Sequence, residues 1–115
     1  VPKFRNVLGS TQVEPRPHVH NFGGFTDGDR SAFLAEEAGA KCVILLGMDF
    51  GRVVGKYSKP GHMIDYPANT VKIEKLRVAK ELLSWLAGWA RAEVLNATGS
   101  GEKIPGVDNV ALGDL

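Results

Sequence analysis

The chain has 115 residues, of which 43% are hydrophobic and 23% are charged, and its formal net charge is +1. This length accommodates one domain with one hydrophobic core, and the composition excludes disordered, collagen-like and membrane-embedded classes. A net charge so close to zero gives no global attraction to nucleic acid or anionic lipid. No apolar run reaches the roughly 18 residues that a membrane span needs. We therefore expect a cytoplasmic protein that uses neither nucleic acid nor a membrane as partner.

The first predicted elements are a strand, a loop and a helix. Residues 3–10 (KFRNVLGS) predict a short strand that ends at Gly9, and the two prolines that follow exclude a regular central strand over residues 11–20. Residues 28–38 predict a helix, because small and apolar side chains recur along this stretch and Gly39 stands where a helix would end.

A strand and a long loop are predicted next. The run KCVILLGM at residues 41–48 lacks apolar–polar alternation, which is typical of a strand that is covered on both faces in a parallel sheet. We therefore expect Cys42, the single cysteine, to be a buried and inert thiol in a reducing compartment. Residues 48–69 are rich in glycine and proline and too long for a simple connection, which favours a functional loop.

The longest helical pattern covers residues 69–94, with Asn69 or Thr70 as its cap. One face of this helix is predicted to meet the core; it consists of Leu76, Ala79, Leu83, Leu86, Ala87 and Ala90. A neighbouring apolar stripe consists of Val78, Leu82, Trp85 and Trp89. Because the two together are wider than one sheet face requires, we expect the tryptophan stripe to contact another subunit or a segment outside this core. Plain burial in this core is the alternative.

The last predicted strand lies around residues 94–96, before a glycine-rich turn and a short extended segment. Alternating strands and helices predict an α/β fold, here a small Rossmann-like three-layer sandwich with a mainly parallel sheet. Ligands of such sheets lie beyond the carboxyl ends of the strands. We expect three loops to meet there, with the sequences GGFTDGDR, GMDFGR and NATGSGEK.

Aspartates near the first predicted helix and after the first buried strand are candidate metal ligands. Mg²⁺ is typically held by one or two protein carboxylates together with the phosphate oxygens of a nucleotide, and Asp27, Asp29 and Asp49 would supply such a set. Backbone amides at a helix start also attract anions. The glycines that would let the backbone approach a polyphosphate are Gly23, Gly24 and Gly28.

Helix capping is the alternative role for the same acidic stretch. Thr26 or Asp27 would cap the helix, and an acidic first turn complements the helix dipole without any ligand. Spacing alone favours capping over phosphate chemistry. Lys56, Lys72 and Lys75 would neutralise phosphate charge if they faced a nucleotide, with ordinary solvent exposure as the alternative. Neither of the glycine-rich phosphate loops of dinucleotide-binding proteins and NTPases is present.

Five motifs occur in a fixed order along the chain: NFGGFTDGDR, GAKCVILLGMDFG, VGKYS, KLRVAKELLSWL and NATGSGEKIPG. Together they resemble the archaeal 6-hydroxymethyl-7,8-dihydropterin pyrophosphokinase family, from about Asn6 to the C-terminus. The stretch around the acidic motif is also similar, more distantly, to thiamine pyrophosphokinases.

The resemblance implies Mg²⁺-dependent transfer of diphosphate from ATP to a dihydropterin, on a route to folate-like or methanopterin cofactors. It implies catalytic roles for Asp27, Asp29 and Asp49, with Asp27 and Asp29 as metal ligands. The residues expected to contact ATP are Gly23, Gly24, Thr26, Gly28, Arg30, Lys56, Lys75 and Thr98. Family members also carry an upstream half. We therefore expect residues 1–115 to be a single α/β domain that forms the C-terminal part of a longer, homo-oligomeric pyrophosphokinase and is inactive alone.

Two other functions stay open on the sequence. One is a sugar-transferring relative, since bacterial proteins with a similar domain are linked to flagellin glycosylation. The other is a non-catalytic module that binds a nucleotide or assembles through Trp85 and Trp89.

Overall fold

A computed structural model describes residues 3–48, 53–54, 66–67, 70–99 and 103–115, with only the backbone described at residues 53–54 and 66–67. In chain order the elements are β1 (Gly9–Ser10), β2 (Val19–His20), α1 (Asp27–Glu37), β3 (Cys42–Leu45), β4 (Val53–Val54), β5 (Tyr66–Pro67), α2 (Thr70–Trp89), β6 (Glu93–Asn96), β7 (Asp108–Asn109) and a 3₁₀ turn (Leu112–Asp114).

The main sheet contains three parallel strands in the order β3, β6, β7. Strand β3 pairs with β6 along all four of its residues, and helix α2 lies between the two in sequence, as a parallel connection requires. Two smaller pairs also occur, with β1 parallel to β2 and β4 antiparallel to β5. The predicted α/β fold with a mainly parallel sheet is confirmed.

One hydrophobic core joins this sheet to both helices. Val43 and Leu45 of β3 lie in the same buried cluster as Phe33 of α1 and Leu83 and Leu86 of α2. Full burial of such a side chain is worth about 1.5–3 kcal/mol, so these contacts hold both helices against the sheet. The predicted core face of the second helix is confirmed, because its members are buried or packed against the core: Leu76, Ala79, Leu83, Leu86, Ala87 and Ala90.

The prediction that the first buried strand is covered on both faces is wrong. Burial alternates along β3, so that Val43 and Leu45 are buried while Cys42 and Ile44 are exposed. The predicted buried thiol of Cys42 is therefore also wrong, because an alternating strand directs this side chain away from the core. Within the described residues the sheet has one covered face, and the third layer of the predicted sandwich is not seen there.

The other predicted elements differ mainly in their limits. Helix α1 begins one residue before the predicted range of 28–38. Of the predicted strand at residues 3–10, only Gly9–Ser10 is extended and paired, because the apolar side chains before it find no core and are exposed. No helix in the described part of the chain is long and apolar enough to cross a membrane.

The tryptophan stripe of α2 lies at the surface. Trp85 and Trp89 are 60% and 49% exposed, although they contact each other edge to face and both approach the Phe33 ring, with centroids 6.0 and 6.3 Å away. Contact of this stripe with another subunit stays a prediction.

Candidate functional site

An open, polar cleft of about 480 Å³ lies at the amino-terminal ends of both helices. Its walls come from three segments: the chain between β1 and β2, the start of α1, and the first turns of α2. The lining residues are Ser10, Thr11, Gln12, Val13, Phe25, Thr26, Asp27, Arg30, Lys72 and Lys75. Four of the predicted site residues, Thr26, Asp27, Arg30 and Lys75, are thus brought together.

Asp27 and Arg30 face each other at the edge of this cleft. The Asp27 side chain is 96% exposed and forms an ion pair with the Arg30 guanidinium, whose side chain is only 20% exposed. The Arg30 Nε is buried and has no hydrogen-bond partner. An exposed ion pair of this kind contributes little to stability. Both groups are therefore placed to exchange their mutual contact for a ligand at low cost.

Asp29 is held in a different way from Asp27. Its side chain is fully buried, and its two carboxylate oxygens accept hydrogen bonds from the backbone N–H groups of Phe25 and Thr26, the latter at 2.7 Å. The Thr26 hydroxyl donates to the same carboxylate. This arrangement is the acidic half of a capping box, in which a side chain at the third helical position binds the backbone at the helix start. Asp29 therefore fits the capping role, and its assignment as a metal ligand stays a prediction.

The two glycines before α1 pack against the helix instead of lining the cleft. Gly23 and Gly24 have φ angles of +111° and +88°, which side-chain-bearing residues rarely adopt. A Cβ atom on Gly23 would lie 2.4 Å from the Phe33 ring, and one on Gly24 would lie 2.7 Å from backbone atoms of Arg30. Close approach of this loop to α1 thus accounts for both glycines without a ligand.

Gly28 and Thr98 both lie next to Met48, close to the start of α1. A Cβ on Gly28 would lie 2.8 Å from the Met48 methyl carbon, and the Met48 N–H donates to the Thr98 hydroxyl at 2.9 Å. The loops after β3 and β6 therefore converge on the start of α1, as predicted from the carboxyl ends of parallel strands. These two residues lie beside the cleft and do not line it.

Two predicted site residues, Asp49 and Lys56, lie outside the described residues. The wall formed by residues 10–13 was not predicted, because a short polar segment between two-residue strands has no distinctive sequence pattern. Lys72 and Lys75 were both predicted as groups that could neutralise phosphate charge, and both line the cleft, since a spacing of three residues puts them on one face of α2.

Basic and acidic side chains share the described part of the cleft. Among its described lining residues, Arg30, Lys72 and Lys75 are basic and Asp27 is acidic, while the carboxylate of Asp29 is buried at the start of α1. No group of three or more metal-ligating side chains occurs among the described residues. Cations close to a helix N-terminus form the kind of site at which α/β proteins bind phosphate groups.

Comparison with known proteins identifies the family to which the chain is similar. Three archaeal proteins named 6-hydroxymethyl-7,8-dihydropterin pyrophosphokinase are similar to this chain. The protein of Pyrococcus furiosus is 54% identical over 95 residues, which are 83% of this chain and 41% of the relative. That of Methanothermobacter thermautotrophicus is 49% identical over 87 residues, 75% of this chain and 38% of the relative. That of Methanocaldococcus jannaschii is 45% identical over 101 residues, 83% of this chain and 42% of the relative.

The chain therefore belongs to the 6-hydroxymethyl-7,8-dihydropterin pyrophosphokinase family. It spans about two fifths of the length of these relatives. No protein-family profile and no solved structure matches it.

Proposed function

We propose that the intact protein transfers a diphosphate group from ATP to 6-hydroxymethyl-7,8-dihydropterin. The proposal rests on one observation of the structure: Arg30, Lys75 and the exposed carboxylate of Asp27 converge on one cleft. The names of the three relatives support it, because each describes this transfer, and none describes a glycosyltransferase.

In this proposal the cleft binds the triphosphate of ATP. Arg30 offers a planar guanidinium that suits two phosphate oxygens at once, and Lys75 offers a compact charge on the opposite wall. The Thr26 hydroxyl and the backbone at the start of α1 lie at the same wall of the cleft. These groups hold a polyanion in place and lower the charge that builds up during transfer.

The described residues fit a magnesium ion through a single carboxylate. Asp27 is exposed at the edge of the cleft, whereas both oxygens of Asp29 are occupied by the cap. Mg²⁺ keeps several waters and needs only one or two protein carboxylates when phosphate oxygens complete its shell. We propose Asp27 as the protein ligand and retain Asp49, which lies outside the described residues, as a second. The ion would supply charge neutralisation on the phosphates when bound.

The reaction depends on positioning of the two substrates more than on covalent catalysis by the protein. The pterin hydroxyl oxygen forms a bond to the β-phosphorus of ATP as the bond from this phosphorus to the AMP oxygen breaks. AMP leaves with the bonding electron pair, and the hydroxyl proton passes to solvent. Arg30 and Lys75 orient the triphosphate so that the attacking and leaving oxygens lie in line.

The test compares two lysine substitutions in the intact protein. We expect Lys75→Ala to lower kcat/KM for ATP on the order of 100-fold, as expected when a group that stabilises transition-state charge is removed. Lys41→Ala is the matched control, because Lys41 is also exposed but precedes β3 and does not line the cleft. AMP formation from ATP and 6-hydroxymethyl-7,8-dihydropterin is the readout. Equal kcat/KM values for the two variants would refute the placement of ATP in this cleft.

A cytoplasmic location is part of the same proposal. ATP, the proposed co-substrate, is a cytoplasmic metabolite, and the exposed free thiol of Cys42 suits a reducing compartment. Cell fractionation followed by immunodetection tests this location, and recovery outside the cytoplasmic fraction would contradict it.

A further inference from the structure

Strand β3 lies at the end of the main sheet and has an open outer edge among the described residues. Its other edge is paired, because the carbonyls of Lys41 and Leu45 accept hydrogen bonds from the N–H groups of Glu93 and Ala97 at 3.0 and 2.8 Å. In a parallel ladder the N–H and C=O of one residue point to the same side, and the side changes with each residue. The N–H and C=O of Ile44 therefore point outward, to the open edge.

A narrow groove follows this open edge. It has a volume of about 240 Å³ and runs between β3 and α1. It is lined by residues of α1, of β3 and of the segment after β3, among them Ser31, Ile44 and Met48. The volume is below the roughly 300–1,000 Å³ of ordinary small-molecule pockets. Only Ser31 brings a polar side chain, so the groove offers mainly apolar contacts and the outward polar groups of one strand.

The described edge of β3 carries no charged side chain, proline or bulge, because Cys42–Leu45 is uniformly apolar. These are among the features by which natural proteins protect edge strands from further pairing. Ile44 remains 46% exposed and Leu46 62% exposed. Parallel sheets occur almost only where both faces are covered. The open edge is accounted for by an absent neighbouring strand, whereas the exposed side chains of Ile44 and Leu46 belong to a face that such a strand would extend and not cover.

We propose that a further β-strand of the same polypeptide, from outside these 115 residues, pairs with the outer edge of β3. The relatives carry enough chain to supply it, because the matched residues make up only 41% of the Pyrococcus furiosus protein. A second copy of this chain fits less well. Two-fold pairing would set β3 antiparallel to its own copy, whereas every pairing in this sheet is parallel.

A parallel neighbour of β3 would end beside Met48 and Gly28, next to the proposed phosphate cleft. The loop after the added strand would then reach the same end of the sheet as Asp27 and could add side chains to the site. The inference rests on the edge geometry and on the length of the relatives, and it holds whether or not the proposed reaction is correct.

Hydrogen exchange in the intact gene product tests the pairing with an internal control. The Val43 N–H points toward β6 and reports the existing pair, while the Ile44 N–H reports the open edge. We expect exchange at Ile44 to be slowed to the same order as at Val43, at least about 100-fold relative to an unstructured peptide. Fast exchange at Ile44 with slow exchange at Val43 would overturn the proposal, as would a gene product that contains no further residues.

A pair of substitutions in the intact protein gives a second measure. Proline is tolerated at a free edge but not in a central strand, so Ile44→Pro should lower Tm well beyond Ile44→Ala, which keeps the backbone N–H. Equal Tm values for the two variants would count against a paired edge.

Photo-crosslinking identifies the occupant directly. A benzophenone amino acid in place of Leu46 should crosslink, by mass spectrometry, to residues of the same polypeptide outside residues 1–115. Crosslinks to residues 49–69 or to a second copy would overturn the proposal.

Discussion

Asp29→Ala should mainly lower the stability of the protein and not its catalytic step, because this carboxylate stabilises the turn that leads into α1. Asp29 is fully buried and accepts hydrogen bonds from the backbone N–H groups of Phe25 and Thr26 and from the Thr26 hydroxyl. Alanine removes the acceptor for all three donors at once. The loop that carries Thr26 and Asp27 would then lose its anchor.

The expected loss follows from these contacts. A hydrogen bond to a charged group contributes about 1.5–3 kcal/mol, and a buried donor left without a partner costs about 1–3 kcal/mol. Phe25 and Thr26 are only half-buried, so water replaces part of what is lost. We therefore expect Asp29→Ala to lower the free energy of unfolding by about 2–4 kcal/mol. Asp29→Asn keeps one carbonyl acceptor and should lose about half as much.

Urea denaturation monitored by circular dichroism measures this effect, and Asp27→Ala is the control. Asp27 has the same charge and lies two residues away, but its side chain is 96% exposed. Its removal should cost less than about 1 kcal/mol, while lowering ATP affinity if the proposed site is correct. The m-value should stay constant for all three variants. Equal losses for Asp27→Ala and Asp29→Ala would refute the division of roles between the two carboxylates.

Two further predictions concern stability away from the cleft. Gly24→Ala should lower Tm more than Gly39→Ala, because both have a φ of +88° but only Gly24 would bring a Cβ within 2.7 Å of α1 backbone; equal shifts would exclude the clash. The backbone N–H groups of Arg91 and Ala92, at 2.9 and 3.0 Å, lower the pKa of Glu36 below its ordinary value of 4.5. The stabilisation that ionised Glu36 provides is therefore present above that value and lost as pH falls through the folded pKa. The Glu36→Gln variant should thus lose less stability than the wild type between about pH 6 and pH 3. A difference in urea midpoint between the wild type and Glu36→Gln that is the same at both pH values would contradict this prediction.

The helices were predictable because their periodicity is a property of the sequence alone. The 3.6-residue repeat of α2 identified Leu83 and Leu86 as core residues without knowledge of what they would meet. Burial of β3 depended instead on its neighbours. The composition CVIL suits a strand with one covered face or two, so the exposure of Cys42 and Ile44 could not be read from the sequence.

Part of the candidate site was predictable from the topology of the sheet. The convergence of the loops at the start of α1 follows from parallel topology, which the alternation of elements indicated. The separate roles of Asp27 and Asp29 depend on which residue becomes the helix cap. A signal was present, since Thr26 is followed three residues later by an acid, the spacing of a capping box. On the sequence alone Thr26 and Asp27 were alternative caps; the structure makes Thr26 the N-cap, with Asp29 completing the box.

The exposed carboxylate of Asp27 gives a physical reason for a metal-dependent nucleotide site in the proposed cleft. Asp27 lines the same wall as Arg30 and is 96% exposed. A triphosphate carries several negative charges, and a carboxylate at short range repels them. A divalent cation at Asp27 would convert that carboxylate from a repulsive group into a ligand. Asp27 is thus the group that most disfavours binding of free ATP, and the same group would favour binding of the magnesium complex of ATP.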